Sequence, residues 1–198
     1  LQIVSDAKTS LYGANAGQPV AVVALGTGSV GMRMDHNGAE KMIGGGGFCI
    51  GDEGGGAKLG YLAVQKLLLE MDTNGVAKSV LSLYVASQIG YSRQSILQWL
   101  AMAKPADYAK LAPHIFTLRD SCVLALEVLT AHANMIEKLI KRTCGSSELP
   151  LVLMGGLAEP SHVLLSTTYR NLIMPSKGNS LDGACLLAKQ LCSPAATN

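Results

Sequence analysis

Short strand-like segments and turn signals alternate in the first quarter of the chain, and this pattern limits the possible folds more than any other feature of the sequence. The run PVAVVAL (residues 19–25) is continuous and apolar, which is typical of a buried strand. Strand-like segments follow at residues 30–35 and 39–43, separated by the turn signals GTGS and HNG. Asn37-Gly38 favours a hairpin because both turn positions favour positive φ. Three consecutive antiparallel strands are therefore predicted.

The rest of the chain is predicted to be mainly helical, with two more short strands. Helical spacing of apolar residues predicts helices over residues 57–70, 76–90, 92–102, 106–111 and 121–144. The last of these repeats its apolar residues at steps of three and four, so it is expected to be largely buried. Strands are predicted at residues 150–154 and 172–174, each followed by a helix, and Asn179 with Asp182 forms a capping pair. This order predicts a three-layer α/β fold with a mixed five-stranded sheet.

The composition favours a packed, reduced, cytoplasmic protein. Hydrophobic residues make up 48% and charged residues 15% of the chain, which supports a core and argues against disorder. The net charge of +2 and the aromatic content of 5% give no nucleic-acid signal. No apolar run reaches the length of a membrane span. The 5 cysteines form no CxxC pair and the 4 histidines are scattered, so neither a disulfide framework nor a zinc site is predicted.

Residues 44–56, GGGGFCIGDEGGG, surround two carboxylates with eight glycines. Such a density of glycine costs conformational entropy, so an ordinary turn explains it poorly. Asp52 stands just before a predicted helix, where a carboxylate can cap free amides, and this role accounts well for Asp52. It does not account for the glycines. A loop that lies against a sugar or a phosphate would need them.

A second glycine motif, Gly26-Thr27-Gly28-Ser29, lies between the first two predicted strands. Its two glycines would let backbone amides converge on an anion, and its two hydroxyls would add donors. An ordinary four-residue hairpin loop is the alternative, because short glycine motifs match freely. The motif is not a Walker loop, since no Gly-Lys-Ser/Thr follows it.

Two further positions are candidates for chemistry. Gly155-Gly156 follows a predicted buried strand and places backbone amides near a helix start, where a nucleotide can sit. A tight strand-to-helix turn explains this pair more simply. Asp6 follows the strand-like residues 1–4, where it is either a helix N-cap or a general base that removes the proton of an attacking hydroxyl.

Five motifs occur in a specific order: SDA, ALGTGSVGM, GGGGFCIGDEGGG, VLMGGLAEP and PSKGNSLDGACLLA. This series resembles the BadF/BadG and N-acetylglucosamine kinase family of the sugar-kinase, actin and heat-shock-chaperone superfamily. The resemblance is greatest to bacterial glucosamine kinases and covers essentially the whole chain. It implies a ribonuclease H-like (actin-like ATPase) domain.

The resemblance also implies an ATP-dependent phosphotransferase that acts on the 6-hydroxyl of an amino sugar, with Mg²⁺ bridging phosphate oxygens. Asp6 matches the base that takes the hydroxyl proton. The loop from Gly26 to Ser29 matches the one that holds the nucleotide phosphates, and its Thr27 borders the sugar. Asp52 matches a sugar-binding aspartate, and Gly155-Gly156 matches the adenosine-binding turn. A homodimer is also implied, with the apolar helices of residues 76–111 contributing a surface.

The chain departs from the family pattern in two ways. The first phosphate motif of the family, an Asp-x-Gly-x-Thr hairpin, belongs to an amino-terminal lobe that is missing here. Residues 1–18 are therefore interpreted as the end of that lobe and the hinge, and residues 19–198 as the carboxy-terminal lobe, which is expected to be inactive alone. Gly46, a substrate-site position, stands where animal N-acetylglucosamine kinases often have Trp, which favours glucosamine as the substrate.

Two other functions stay open at this point. An activator ATPase of the dehydratase type has the same fold, but it needs paired cysteines to hold an iron–sulfur cluster. Cys49 is the only cysteine near a predicted loop of interest. A non-catalytic sugar or nucleotide sensor is the second alternative. The presence of both Asp6 and Asp52 argues against it, because a sensor needs no base.

Overall fold

Helices outnumber strands in the computed structural model, which describes residues 3–192. The strands within this range are β1 (Val20–Leu25), β2 (Ser29–Met34), β3 (Glu40–Gly44) and β4 (Leu151–Met154). The helices are α1 (Asp6–Ala14), α2 (Gly56–Asn74), α3 (Val80–Ile89), α4 (Arg93–Met102), α5 (Pro105–Ala109), α6 (Ala112–Thr117), α7 (Val123–Cys144), α8 (Ala158–His162), α9 (Thr167–Arg170) and α10 (Ser180–Cys192). These residues form two units. The first comprises residues 3–25, 30–45 and 137–192, and the second comprises residues 26–29 and 46–136.

The sheet is mixed and has four strands in the order β3-β2-β1-β4. Strands β1 and β4 are parallel, and β2 and β3 are antiparallel. The prediction of three consecutive strands is confirmed. The prediction of a fifth strand at residues 172–174 is wrong, because Ile173 forms only an isolated bridge with Leu151. Pro175 follows at once and has no N–H to donate, so a ladder cannot extend in that direction.

The core of the first unit lies between β1, β2 and α1. Alternate residues of β1, such as Val20 and Val22, pack with Leu11 of α1 and Met32 of β2. This two-residue period places one apolar face of the strand against the helix. Each fully buried aliphatic side chain of this kind contributes about 1.5–3 kcal/mol of transfer free energy. The apolar run that predicted β1 is therefore also what fixes the first helix on the sheet.

Helices α1 and α10 cross at glycines. A Cβ on Gly183 would lie 1.8 Å from the carbonyl oxygen of Thr9, and one on Gly13 would lie 2.0 Å from that of Asn179. The two backbones are therefore in direct contact. The predicted capping pair at the start of α10 is confirmed, since Asn179 N donates to Asp182 Oδ2 at 2.8 Å and Asp182 N donates to Asn179 Oδ1 at 3.2 Å.

Helix α7 is amphipathic, so the prediction that it is largely buried is wrong. Leu129 and Ile136 are fully buried, whereas Val123 is 74% exposed and Leu126 is 49% exposed. Ala125 and Val128 are also buried and widen the predicted stripe, whose other members are buried: Cys122, Leu129, Ala133, Ile136 and Ile140. None of the helices within residues 3–192 is long and apolar enough to cross a bilayer.

Two helix starts differ from the sequence prediction for local reasons. Helix α3 begins at Val80 because the Ser79 side chain caps it, accepting from Ser82 N at 3.1 Å. The Glu70 carboxylate accepts from Ser79 N at the same point and holds the preceding residues out of the helix. Helix α6, which contains Pro113, is not among the predicted helices. This proline lies in the first turn of α6, where a missing N–H costs nothing.

The turn between β2 and β3, residues 35–39, satisfies its own polar groups. Asp35 Oδ1 accepts from Asn37 N and from Ala39 N, both at 2.9 Å. Gly38 N donates to the Asp35 carbonyl at 3.0 Å. Gly38 has φ +78°, but Asn37 does not have positive φ, so the expected two-residue hairpin geometry is replaced by a turn built on the Asp35 side chain.

Candidate functional site

The β1–β2 loop (Gly26–Ser29) is bound to the start of α2. Gly56 N donates to the Gly26 carbonyl at 2.8 Å, and Ala57 N donates to the Thr27 carbonyl at 2.9 Å. Two of the amides that a helix start leaves without intrahelical partners are thus satisfied by the loop. These amides are not available to an anion. A phosphate at the loop would be held by the donors of the loop itself.

The two hydroxyls of this loop have different surroundings. Ser29 is buried, and its Oγ donates to the Glu53 carbonyl at 2.7 Å, which joins the loop to the glycine segment (residues 44–56). Thr27 is exposed, and its hydroxyl makes no hydrogen bond to the described residues. Of the two predicted donors, Thr27 is therefore the one with a hydroxyl open to a ligand.

Asp52 lies directly against the β1–β2 loop. A Cβ on Gly28 would be 2.6 Å from Asp52 Oδ2, so no larger residue fits there without moving the carboxylate. A Cβ on Gly55 would be 2.7 Å from the Gly28 carbonyl carbon and 2.8 Å from the Thr27 oxygen. Close approach of two backbones therefore explains Gly55, and contact with the Asp52 side chain explains Gly28.

The carboxylate of Asp52 is not a helix cap. The N-cap of α2 is Gly55, which makes no side-chain cap hydrogen bond. Asp52 is half-buried and has φ +57°, a conformation that non-glycine residues rarely adopt. Within residues 3–192 its carboxylate forms no hydrogen bond or ion pair. A half-buried carboxylate held in this way is an acceptor that a ligand hydroxyl or a cation can use.

The glycine segment closes into a small turn before Asp52. Gly51 N donates to the Gly47 carbonyl at 2.7 Å. Gly46 is exposed, and a Cβ at that position would lie 3.7 Å from Ile50 Cγ1. The space that a side chain at position 46 would occupy is therefore limited by Ile50. The sequence interpretation gave no role to Phe48 or Lys58, although a single aromatic residue among glycines was a visible signal.

Asp6 belongs to the first unit and begins α1. The N-cap of this helix is Ser5, whose Oγ accepts from Lys8 N at 3.2 Å, so the alternative interpretation of Asp6 as the cap is wrong. Asp6 is exposed, and its Oδ1 accepts from Ala7 N at 2.8 Å. The predicted strand of residues 1–4 lies partly outside the described residues, and Ile3 and Val4 are not in a strand.

Gly155 and Gly156 form the turn after β4. A Cβ on Gly155 would lie 2.3 Å from the Leu25 carbonyl oxygen, and Leu157 N donates to the same oxygen at 3.1 Å. No heavy atom lies within 4 Å of a Cβ built on Gly156, so the backbone there is open. Because β1 and β4 are parallel, this turn lies at the carboxyl edge of the sheet, where α/β proteins bind ligands.

The structure thus brings Gly26, Thr27, Gly28 and Ser29 together with Asp52 in the second unit, while Asp6 and the Gly155-Gly156 turn belong to the first. Among the described residues, no group of three or more His, Cys, Asp or Glu side chains is arranged to hold a metal ion. Within residues 3–192 no such group of side chains fits a resident magnesium ion, and Mg²⁺ carried by a nucleotide stays a prediction.

Comparison with known proteins finds a matching family model and similar amino-sugar kinases. The model of the BadF/BadG/BcrA/BcrD ATPase family matches residues 1–180. Glucosamine kinase GspK of Vibrio cholerae serotype O1 is 30% identical over 187 residues, which cover 93% of this chain and 62% of that kinase. The crystal structure of a putative N-acetylglucosamine kinase from Chromobacterium violaceum matches with a TM-score of 0.87 and 33% identity, over 94% of this chain and 65% of its own. The chain thus spans less than two thirds of either relative.

Two more distant structures are similar in fold alone. A putative N-acetylglucosamine kinase from Porphyromonas gingivalis matches with a TM-score of 0.71 at 20% identity, over 95% of this chain and 66% of its own. A ROK family glucokinase from Streptomyces griseus, solved with glucose and AMPPNP, matches with a TM-score of 0.53 at 12% identity, over 95% and 67%. The fold is therefore of the α/β actin-like ATPase type. With the family model matching most of its length, the chain belongs to the BadF/BadG/BcrA/BcrD ATPase family.

Proposed function

We propose that this chain supplies nucleotide- and sugar-binding elements of an ATP-dependent amino-sugar kinase, which transfers the γ-phosphoryl group to the 6-hydroxyl of glucosamine or N-acetylglucosamine. The observation that carries the proposal is the contact between Asp52 and Gly28. It places an acceptor with no partner among the described residues beside a glycine loop with an open hydroxyl, Thr27. Phosphoryl transfer depends mainly on such positioning of two substrates.

In this proposal Asp52 accepts hydrogen bonds from sugar hydroxyls, and Gly46 leaves space beside the sugar. The loop Gly26–Ser29 binds the nucleotide phosphates through backbone amides and the Thr27 hydroxyl. Ser29 holds the loop to the Glu53 carbonyl at 2.7 Å and so acts on position rather than on the phosphate. This division of roles follows from which polar groups are already satisfied within the protein.

Asp6 is proposed as the general base, and the Gly155-Gly156 turn as part of the adenosine contact. The 6-hydroxyl oxygen attacks the γ-phosphorus, the bond from that phosphorus to the bridging oxygen of ADP breaks, and the hydroxyl proton passes to the Asp6 carboxylate. ADP leaves with the bonding electrons. Mg²⁺ arriving with ATP supplies charge neutralisation of the phosphates when bound.

The relatives favour an amino sugar over other acceptors. GspK is named a glucosamine kinase, and the Chromobacterium violaceum protein a putative N-acetylglucosamine kinase. The proposal extends amino sugars as the acceptor class to the protein that contains these 198 residues. Gly46 favours glucosamine over N-acetylglucosamine. Glycine offers no aromatic side chain at this position to contact the acetamido group of N-acetylglucosamine.

The test measures ADP release by the intact protein with ATP, Mg²⁺ and separately glucosamine, N-acetylglucosamine or glucose. Asp52→Asn is expected to raise KM for the amino sugar by about tenfold or more, since a hydrogen bond to a charged acceptor is lost. Asp6→Asn is expected to lower kcat by about a hundredfold or more. Asp120→Asn is the matched control, because it removes an exposed carboxylate whose ion pair with Arg119 contributes little.

Turnover with glucose alone would overturn the amino-sugar assignment. ATP and sugar binding without ADP release would instead favour the non-catalytic sensor. Iron in the purified protein, with ATP hydrolysis that no sugar stimulates, would favour the activator ATPase. Light scattering of the intact protein tests the expected homodimer.

A further inference from the structure

Phe48, in the glycine segment, is packed against two helices of the second unit, α2 and α5. Its ring centroid lies 5.1 Å from that of Tyr108 on α5 and 6.1 Å from that of Tyr61 on α2. Tyr108 is only 6% exposed, and its ring lies 4.8 Å from Trp99 on α4. We call Phe48, Tyr61, Trp99 and Tyr108 the aromatic cluster. It joins the glycine segment to α2, α4 and α5.

Lys58 covers the outer side of this cluster. Its Nζ lies 5.2 Å from the Phe48 centroid and 5.7 Å from the Tyr61 centroid. A lysine ammonium at these distances is attracted by the electron-rich ring faces. Within residues 3–192 no carboxylate forms an ion pair with Lys58. Its ammonium group interacts instead with the rings of Phe48 and Tyr61. The Phe48 ring is thus contacted by two tyrosine rings and by a cation.

The surface that receives Phe48 is itself rigid. A Cβ on Gly60 would lie 2.0 Å from the Tyr108 carbonyl oxygen, so α5 rests directly on the backbone of α2. The amides of Gly56 and Ala57, one turn earlier in α2, bind the β1–β2 loop. The same helix therefore holds both the loop and the Tyr61 ring. A side chain fixed to this helix is fixed relative to the loop.

Among the side chains of the turn, Phe48 is half-buried, whereas Cys49 and Ile50 are exposed. The turn is closed by the hydrogen bond from Gly51 N to the Gly47 carbonyl, and Ile50 within it is 88% exposed. Asp52 follows directly and keeps its unusual φ of +57°. The Phe48 ring is the side chain through which this turn is attached to the helices. The hydrogen bond from Ser29 Oγ to the Glu53 carbonyl holds the segment after Asp52, so the attachment at Phe48 fixes the segment before it.

We propose that Phe48 is a positioning residue for sugar binding, held by Lys58, Tyr61 and Tyr108 so that the following turn presents Asp52 at the β1–β2 loop. The proposal rests on the function proposed above for Asp52. Phe48 itself touches no reacting group. Its contribution is to restrict the conformations of a segment that glycines would otherwise leave free.

The first experiment needs no substrate. Hydrogen exchange of peptides covering residues 47–55 is compared in the intact protein, Phe48→Ala and Ile50→Ala. Phe48→Ala is expected to exchange about tenfold faster in this segment, because the closed turn opens more often. Ile50→Ala removes a similar apolar side chain from the same turn but no packed contact, and is expected to exchange as the parent does. Equal rates in both variants would overturn the anchoring role.

The second experiment measures steady-state kinetics. Phe48→Ala is expected to raise KM for the amino sugar about tenfold while KM for ATP changes less than about twofold. Phe48→Tyr keeps the ring and is expected to restore KM for the sugar. Lys58→Met keeps the ring but removes the cation, and is expected to give a smaller increase in exchange and in KM, about threefold. It also keeps the test decisive if Phe48→Ala does not fold.

The two proposals fail separately. Faster exchange in Phe48→Ala without any sugar-dependent turnover in the parent protein would refute the kinase function and leave the anchoring role. Sugar-dependent turnover with an unchanged KM for sugar in Phe48→Ala would refute the positioning role alone. Trp99 is the single tryptophan among these 198 residues. A change in tryptophan fluorescence on adding sugar, lost in Trp99→Phe, would report directly on the aromatic cluster.

Discussion

The two connections between the first three strands contain similar residues but use their polar groups differently. The turn at residues 35–39 satisfies itself, since Asp35 accepts from two amides of the same turn at 2.9 Å. The β1–β2 loop gives its carbonyls to α2, and its serine hydroxyl to the Glu53 carbonyl. The neighbouring Asp52 carboxylate has no partner among residues 3–192.

This difference separates a structural turn from a candidate binding loop. Both contain glycine together with polar residues, so composition does not distinguish them. The destination of each hydrogen bond does, because a polar group already satisfied within the protein gains little from a ligand. Asp35 is satisfied and Asp52 is not, which is why the function is proposed at Asp52.

The largest effect is expected from adding one methyl group to the β1–β2 loop, at Gly28. In Gly28→Ala the new Cβ would lie 2.6 Å from Asp52 Oδ2 and would displace the carboxylate. Activity, measured as kcat/KM for the amino sugar, is expected to fall about a hundredfold or more, as misplacement by roughly 1 Å commonly causes. Activity of Gly28→Ala within about threefold of the parent would contradict the proposed role of this contact.

Folding stability is also expected to depend on pH, through a histidine that lies outside both turns. Burial lowers the pKa of His132 in the second unit to about 4. Because this value lies below the 6.5 of an ordinary histidine, the unfolded state binds the proton first as the pH falls, and folding stability is lost between pH 6.5 and 4. By pH 5 the loss is roughly 2 kcal/mol.

Urea unfolding between pH 7 and 5 checks this prediction. His132→Gln is expected to flatten the pH dependence of the unfolding free energy. An unchanged slope in that variant would show that other groups cause it. Stability of the turn variants is therefore best compared above pH 6.5.

Removal of the Asp35 side chain tests the structural turn. Asp35→Ala leaves the amides of Asn37 and Ala39 without their acceptor, and the unfolding free energy is expected to fall by about 1.5 kcal/mol. Denaturant titration measures the change. Kinetic constants are expected to stay within about twofold of the parent. A large rise in KM for the sugar would mean that the two connections do not differ in the way proposed.

The smallest effect is expected for Gly38→Ala. Gly38 has φ +78° and no heavy atom within 4 Å of a built Cβ, so only backbone strain opposes the substitution. The expected loss of stability is about 1 kcal/mol, measured by thermal unfolding, with activity unchanged. Beside Gly28→Ala, this variant separates the general strain of alanine from a specific clash with Asp52.

Local signals in the sequence gave correct predictions. The apolar run at residues 19–25 predicted β1 (Val20–Leu25), and the pair Asn179 and Asp182 predicted the cap of α10. These features depend on residues close together in the chain. Some predictions failed because of distant neighbours, as at Leu126, which is exposed although it fits the apolar spacing of α7. Others failed because of local hydrogen bonds, as in the turn built on Asp35. Periodicity gives the spacing of a stripe but does not say which flank meets the core.

The candidate site shows the same limit. The sequence indicated Gly26, Gly28 and Asp52 individually, and the resemblance to sugar kinases supplied a function for each. Whether Asp52 caps α2 or faces the loop was left open by the spacing, since both roles suit an aspartate before a helix. The structure assigns the cap position to Gly55 and the carboxylate to the loop.

By itself, the sequence determined the first three strands, the cap of α10 and the family, because these depend on short-range periodicity and on motifs. Only the tertiary structure decided that the Gly28 backbone meets Asp52, that Ser29 is tied to Glu53, and that Phe48 enters a cluster on three helices. Such contacts arise when packed helices bring distant segments within a few ångströms of each other. The free energy of such contacts depends on the packing of the whole core rather than on local residue preference.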